Sequence, residues 1–191
     1  MPRGGNRRRP LSSAQTGVWF GQELDPTGQR YVVGQYVHVR GSVDPDLLHR
    51  AIAAVFAGSE PLRVRFVISD DRREQVVEPD VHPRLTVVDL TGEAEPVDAA
   101  RQRMRELLAE PFDLATAPVF RTALYRLSEH DHYWCLTSHH LVTDGVGGAN
   151  LIRRVAEAYT LLVKGTDPPH DVFDPLDTVL ADDTAYRQSA R

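Results

Sequence analysis

Residues 133–164 read YWCLTSHHLVTDGVGGANLIRRVAEAYTLLVK. Tyr133 to Ser138 is a short, mostly apolar run and predicts a strand. A polar loop follows, and Val146 to Lys164 then carries Leu151, Ile152, Val155, Tyr159 and Leu162 at helical spacing. Gly165 ends that helix, and Pro168-Pro169 prevents it from resuming. Working outward, Val119 to Leu127 predicts a second strand, joined to Tyr133–Ser138 by the polar turn Ser128–Asp131 as a hairpin. Leu62, Val64, Phe66 and Ile68 alternate with Arg63, Arg65 and Val67, which predicts a strand with the arginines on its other face. Glu74–Val77 is its expected hairpin partner. Tyr31–Arg40 and Leu85–Leu90 read as further strands. Helices are expected over Ala14–Leu24 (capped by Ser12 or Ser13), from the Asp44-Pro45 start to Gly58, and over Val97–Glu110. Asp174–Arg191 has only a weak helical pattern. Helices mixed with hairpins predict an α/β chain, an α+β sandwich whose mixed, mostly antiparallel sheet is covered by packed helices.

The composition narrows the function. The 191 residues fit one domain or one lobe of something larger, and 41% hydrophobic content is enough for a core. A net charge of -5 argues against nucleic-acid binding. No apolar run approaches the roughly 20 residues that span a bilayer, and no apolar stretch of signal-peptide length follows the basic N-terminus, so the expectation is a cytoplasmic protein with no membrane partner. Cys135 is the single cysteine, which excludes an internal disulfide framework and a cysteine-based zinc site. Residues 1–10, with Arg3, Arg7, Arg8 and Arg9, are expected to be a disordered basic arm.

The chemistry concentrates in Ser138–Gly145. Neighbouring strand residues point to opposite faces, so His139 and His140 should not serve one site. One should face the interior and the other a cleft, which makes a two-histidine metal site improbable, and the other histidines lack zinc-binding spacing. Asp144 has three possible parts. It can orient His140, cap the following helix, or pair with a buried arginine. Gly145 would let the backbone adopt a conformation closed to other residues. A base beside free helix N–H groups suits acyl transfer, and with no serine or cysteine elbow in view, direct transfer between two bound substrates is favoured. Gly145, Gly147 and Gly148 do not form a phosphate-binding loop, since the lysine is missing.

Three stretches together carry a resemblance to the condensation domains of nonribosomal peptide synthetases. Leu11–Phe20 (LSSAQTGVWF) resembles the family's opening motif. Glu60–Phe66 (EPLRVRF) resembles the second, RHExLRxxF, although Gly58 and Ser59 stand where Arg-His is usual. Ser138–Gly145 resembles the third, HHxxxDG. Their order and spacing agree with the family over roughly residues 10–190. The length matches only the first of the two lobes such domains possess, so residues 11–191 are expected to be an N-terminal lobe of chloramphenicol-acetyltransferase-like fold. Asp174–Tyr186 falls where a fourth motif belongs and matches it poorly.

The resemblance implies an enzyme of acyltransferase type. An upstream carrier protein presents an acyl or peptidyl thioester on a phosphopantetheine arm, a downstream carrier presents an aminoacyl thioester, and an amide forms between them. No cofactor or metal is implied beyond those arms. His140 would take the amine's proton or position the amine. Gly145 would allow close approach to the reaction centre. His139 and Asp144 would be structural, with Asp144 paired to Arg63 or, failing that, Arg65. Gln15 and Trp19 read as helix packing. The short N-terminus suggests a donor carrier supplied in trans, with the basic arm helping to recruit it. The missing C-terminal lobe is a further implied partner, and the isolated lobe is expected to be inactive. Alternatives are an epimerisation-domain lobe, or a non-catalytic module that binds carriers or recruits an oxygenase. Heterocyclisation is disfavoured because His139 stands where those domains carry aspartate.

Overall fold

The strand that ends at His139, directly before His140, runs through the middle of a four-stranded sheet. The computed structural model describes residues 7–25, 27–169 and 173–189. In chain order they form β1 (Arg8–Pro10), α1 (Ser13–Glu23), β2 (Val32–Arg40), α2 (Pro45–Ala57), a 3₁₀ turn (Pro61–Arg63), β3 (Val64–Ser69), β4 (Arg72–Val77), β5 (Leu85–Asp89), α3 (Pro96–Ala109), β6 (Phe120–Ser128), β7 (Asp131–His139), α4 (Gly145–Val163) and α5 (Leu176–Ser189). The main sheet has the order β2-β7-β6-β5. Only its β5–β6 pair is parallel, as expected for a mixed, mostly antiparallel sheet.

β7 is buried from His132 to His139, so its sequence lacks simple apolar–polar alternation: both of its faces are covered. On one face Trp134 and Leu136, with Phe120 and Leu124 of β6, pack against Ile52, Val55 and Phe56 of α2 and Leu151, Val155 and Leu162 of α4. On the other face Tyr133, Cys135, Ala123 and Tyr125 pack against Ala100 and Met104 of α3. Each such fully buried large side chain is worth about 1.5–3 kcal/mol of transfer free energy. The indole N–H of Trp134 donates to Thr122 Oγ1 at 2.7 Å, which keeps the one polar atom of that ring satisfied. Asp44 caps α2 through the N–H groups of Asp46 and Leu47, and Pro45 opens the helix, as the sequence predicts. Gly165, at φ 72°, follows α4 in the left-handed conformation that favours glycine.

Two features depart from the sequence reading. The expected β3–β4 hairpin forms, but it belongs to a separate sheet of order β1-β4-β3. That sheet packs through Val64, Phe66 and Val77 against Leu11, Trp19, Leu141 and Leu176. The expectation of a disordered arm over residues 1–10 fails at Arg8–Pro10, which pair with β4. Residues 1–6, including Arg3, lie outside the described residues. Arg9 is buried and its Nε donates to Asp177 at 2.7 Å, Arg7 reaches the same carboxylate at 3.1 Å, and Arg8 pairs with Glu74 at 3.2 Å. These arginines are therefore engaged within the lobe rather than presented as a loose basic arm.

Candidate active site

At the end of β7 successive backbone N–H groups donate in opposite directions. That of His139 reaches the Val119 carbonyl at 3.1 Å, and that of His140 reaches Tyr31 at 2.8 Å. The side chains diverge accordingly. His139 is 1% exposed, with Nε2 3.2 Å from Gln22 Oε1, while its Nδ1 accepts the Leu141 N–H at 3.2 Å. Those partners select the tautomer with the proton on Nε2. Burial, with a smaller contribution from neighbouring His140, lowers its pKa from 6.5 to about 4. His139 is thus a neutral interior residue that shapes the turn after the strand.

This burial has a measurable consequence. Above pH 6.5 His139 is neutral whether the chain is folded or not. Between pH 6.5 and 4 only the unfolded chain binds the proton, so stability falls as pH falls through that window. The expected loss is about 2 kcal/mol by pH 5. Denaturant unfolding of wild type and His139→Gln at pH 7 and pH 5 checks it. The difference in stability between the two proteins should shift by that amount, and a pH-independent difference would contradict the burial argument.

His140 is half-buried and lines a cleft of about 430 Å³. Gln15 and Val18 of α1, Asp144 and Gly147 at the start of α4, and Val179 and Leu180 of α5 share that cleft. The predicted separation of the two histidines therefore holds. The cleft also includes α5, whose weak sequence pattern gave no functional signal. Glu60 explains how α5 is set there: its Oε2 accepts the Leu176 N–H at 2.9 Å, at the first residue of the helix.

Asp144 takes the capping role. Its Oδ1 accepts the Gly147 N–H at 2.7 Å and its carbonyl accepts that of Gly148 at 2.8 Å. The expected pair with Arg63 is not formed. Arg63 lies in the 3₁₀ turn rather than in a strand, and its Nη1 donates to the carbonyl of Glu78 at 3.0 Å. Arg65, the alternative, pairs with Glu78 at 2.5 Å. Asp144→Ala should therefore cost about 1 kcal/mol, as the loss of an N-cap does, rather than the 3–5 kcal/mol of a broken buried pair. Its effect should add to that of Arg63→Ala in denaturant unfolding. A coupling of 2 kcal/mol or so would restore the ion pair.

Gly145 opens α4 without a left-handed backbone, so the conformational reason expected for a glycine there does not apply. A Cβ added at Gly145 meets nothing within 4 Å. The tight positions are the next two glycines. A Cβ at Gly147 would collide with Thr143 Oγ1, and one at Gly148 with Gln35 Oε1. Gln35 of β2 in turn donates from Nε2 to the Gly145 carbonyl at 3.1 Å, tying the sheet to the start of α4. Trp19 is buried against Phe66, 5.9 Å between ring centroids, and its packing role stands. Among the described residues no group of three or more His, Cys, Asp or Glu side chains is arranged to hold a metal ion, and no helix is long and apolar enough to cross a membrane.

Comparison with known proteins gives this site its context. The condensation-domain family model matches residues 6–191. The dimodular nonribosomal peptide synthase of Bacillus subtilis (strain 168) is 35% identical over 189 residues, which is 99% of this chain and 8% of that protein. The isonitrile lipopeptide synthase of Streptomyces coeruleorubidus is 40% identical over 187 residues, 96% of this chain and 13% of that one. Among solved structures, the first condensation domain of the calcium-dependent antibiotic synthetase, in complex with a substrate analogue, superposes with a TM-score of 0.90 at 34% identity. The match covers 96% of this chain and 44% of that one. The starter condensation domain of rhizomide synthetase gives 0.87 at 32% identity, over 96% and 45%. The chain belongs to the condensation-domain family of nonribosomal peptide synthetases and has its chloramphenicol-acetyltransferase-like fold. It spans a small part of the synthases it matches and a little under half of the solved domains, the share of an N-terminal lobe.

Proposed function

We propose that this chain is the N-terminal lobe of a cytoplasmic condensation domain whose two lobes together join a carrier-bound acyl or peptidyl thioester to the amine of a carrier-bound aminoacyl thioester. The observation that carries the reading is the placement of His140: half-buried, at the end of β7, in a cleft that also contains the start of α4.

In the reaction the acceptor nitrogen bonds to the donor carbonyl carbon, the C–S bond breaks, and the amine's proton passes to the departing thiolate. His140 relays that proton or holds the amine in line. An α-amine has a pKa of about 8, so a useful fraction is already unprotonated near neutrality and positioning is a substantial part of the task. His139 and Asp144 act on the fold around the loop, and Arg63 acts away from it, on the Glu78 carbonyl. Gly145, with open space over its Cα, leaves room for the substrate arms. The phosphopantetheine arms arrive on an upstream donor carrier and a downstream acceptor carrier.

The test is reconstitution of the complete domain with both carriers loaded. Condensation leaves the donor carrier empty and the acceptor carrier heavier by the acyl group, read by intact-protein mass spectrometry. A donor carrier that stays loaded while its α-carbon inverts would identify epimerisation. A domain that binds carriers and changes neither would identify a non-catalytic module.

A further inference from the structure

Two glutamine side chains meet beneath the cleft. Gln75 of β4 is fully buried, with 0% exposure, in the smaller sheet. Its Nε2 donates to the Pro10 carbonyl at 2.9 Å and to Gln15 Oε1 at 2.9 Å. Gln15 Nε2 donates to Gln75 Oε1 at 3.1 Å and to the Leu141 carbonyl at 2.9 Å. The Ser12 N–H donates to Gln15 Oε1 at 2.9 Å, closing a capping box at the start of α1. The two amides are therefore bonded to one another and to backbone on β1, at the start of α1 and on the His140 loop.

The Leu141 carbonyl belongs to the residue directly after His140. His140 is held on its other side by its own N–H to Tyr31, and the Leu141 N–H is spent on His139. The backbone on both sides of the reacting residue is thus fixed by named partners, and Gln15 is the side-chain member. An amide is suited to this: one group donates to the loop while its oxygen accepts from the capping box and Gln75. A helix N-terminus needs only an acceptor at that position to close the box, so the second bond, to Leu141, is surplus to helix capping.

We infer that Gln15, locked by Gln75, is a positioning residue that sets the place of His140 in the cleft. The inference rests on the proposed role of His140. Displacement of a reacting group by about 1 Å can cost on the order of 10²-fold in rate. Loss of the Gln15–Leu141 bond should lower turnover without altering the surface that meets the carriers.

The experiment uses the complete condensation domain with both loaded carriers and the variants Gln15→Leu, Gln15→Glu and His140→Ala. Gln15→Glu keeps the acceptor for Ser12 and Gln75 and removes the donor to Leu141 and to Gln75 Oε1, so the melting temperature of each variant is measured beside its rate and only variants that stay folded are compared. In each folded variant kcat should fall about 10- to 100-fold, with KM for either carrier within about twofold of wild type. A folded Gln15→Glu variant with wild-type kcat, or one whose loss lies wholly in KM, overturns the inference. Wild-type turnover in His140→Ala would instead overturn the reading of the site on which it rests.

Discussion

The chain of 191 residues, mixed alone with both loaded carriers, is expected to yield amide product no faster than a control without it. The reason lies in what the lobe holds. It carries His140 in a cleft lined by α1, the start of α4 and α5, and on the proposed reading this is only one wall of the reaction tunnel. Holding two reactants in line can contribute roughly 7–11 kcal/mol of barrier reduction, and one wall cannot align two tethered thioesters. An open cleft also admits water to the site. Product measured by mass spectrometry well above the control, and lost in His140→Ala, would show that one lobe suffices.

In the complete domain His140→Ala is expected to slow amide formation by about 10²–10⁴-fold, the usual range for a positioned acid–base group. His139→Gln should be milder in rate and felt mainly in stability. The contrast follows from burial: His139 has both ring nitrogens committed inside the fold, whereas His140 faces the cleft. Single-turnover rates with preloaded carriers separate the two. Equal rates for His140→Ala and wild type would remove His140 from the chemistry, and a larger loss for His139→Gln in a folded protein would reverse the assignment.

The parts of this arrangement that were legible in the sequence depend on local rules. Adjacent strand residues must face apart, so the division of labour between His139 and His140 could be read directly. Asp44 with Pro45, Ser12 before α1, and Gly165 after α4 carry their own signals at helix ends. Contacts between distant segments were not legible. Arg9 is buried because Asp177, 168 residues away, pairs with it, and nothing in RRP marks a strand. The alternation that began at Leu62 concealed a 3₁₀ turn over Pro61–Arg63, which sent Arg63 to the Glu78 carbonyl instead of to Asp144. Gly145 attracted attention as part of a motif, while the steric demand falls on Gly147 and Gly148, where only the packed loop and Gln35 create it. Gln75 sits in a strand with charged neighbours and gave no sign that it would be buried against Gln15.

Affinity labelling shows whether the donor carbonyl comes to His140. A donor carrier whose phosphopantetheine arm bears a bromoacetyl group would be incubated with the complete wild-type domain, and the peptides of this lobe mapped by mass spectrometry. Alkylation is expected on the His140 imidazole, with His139 and the buried Cys135 unmodified. Labelling of His139, or labelling confined to residues outside the His140 cleft while the carrier still binds, would contradict it.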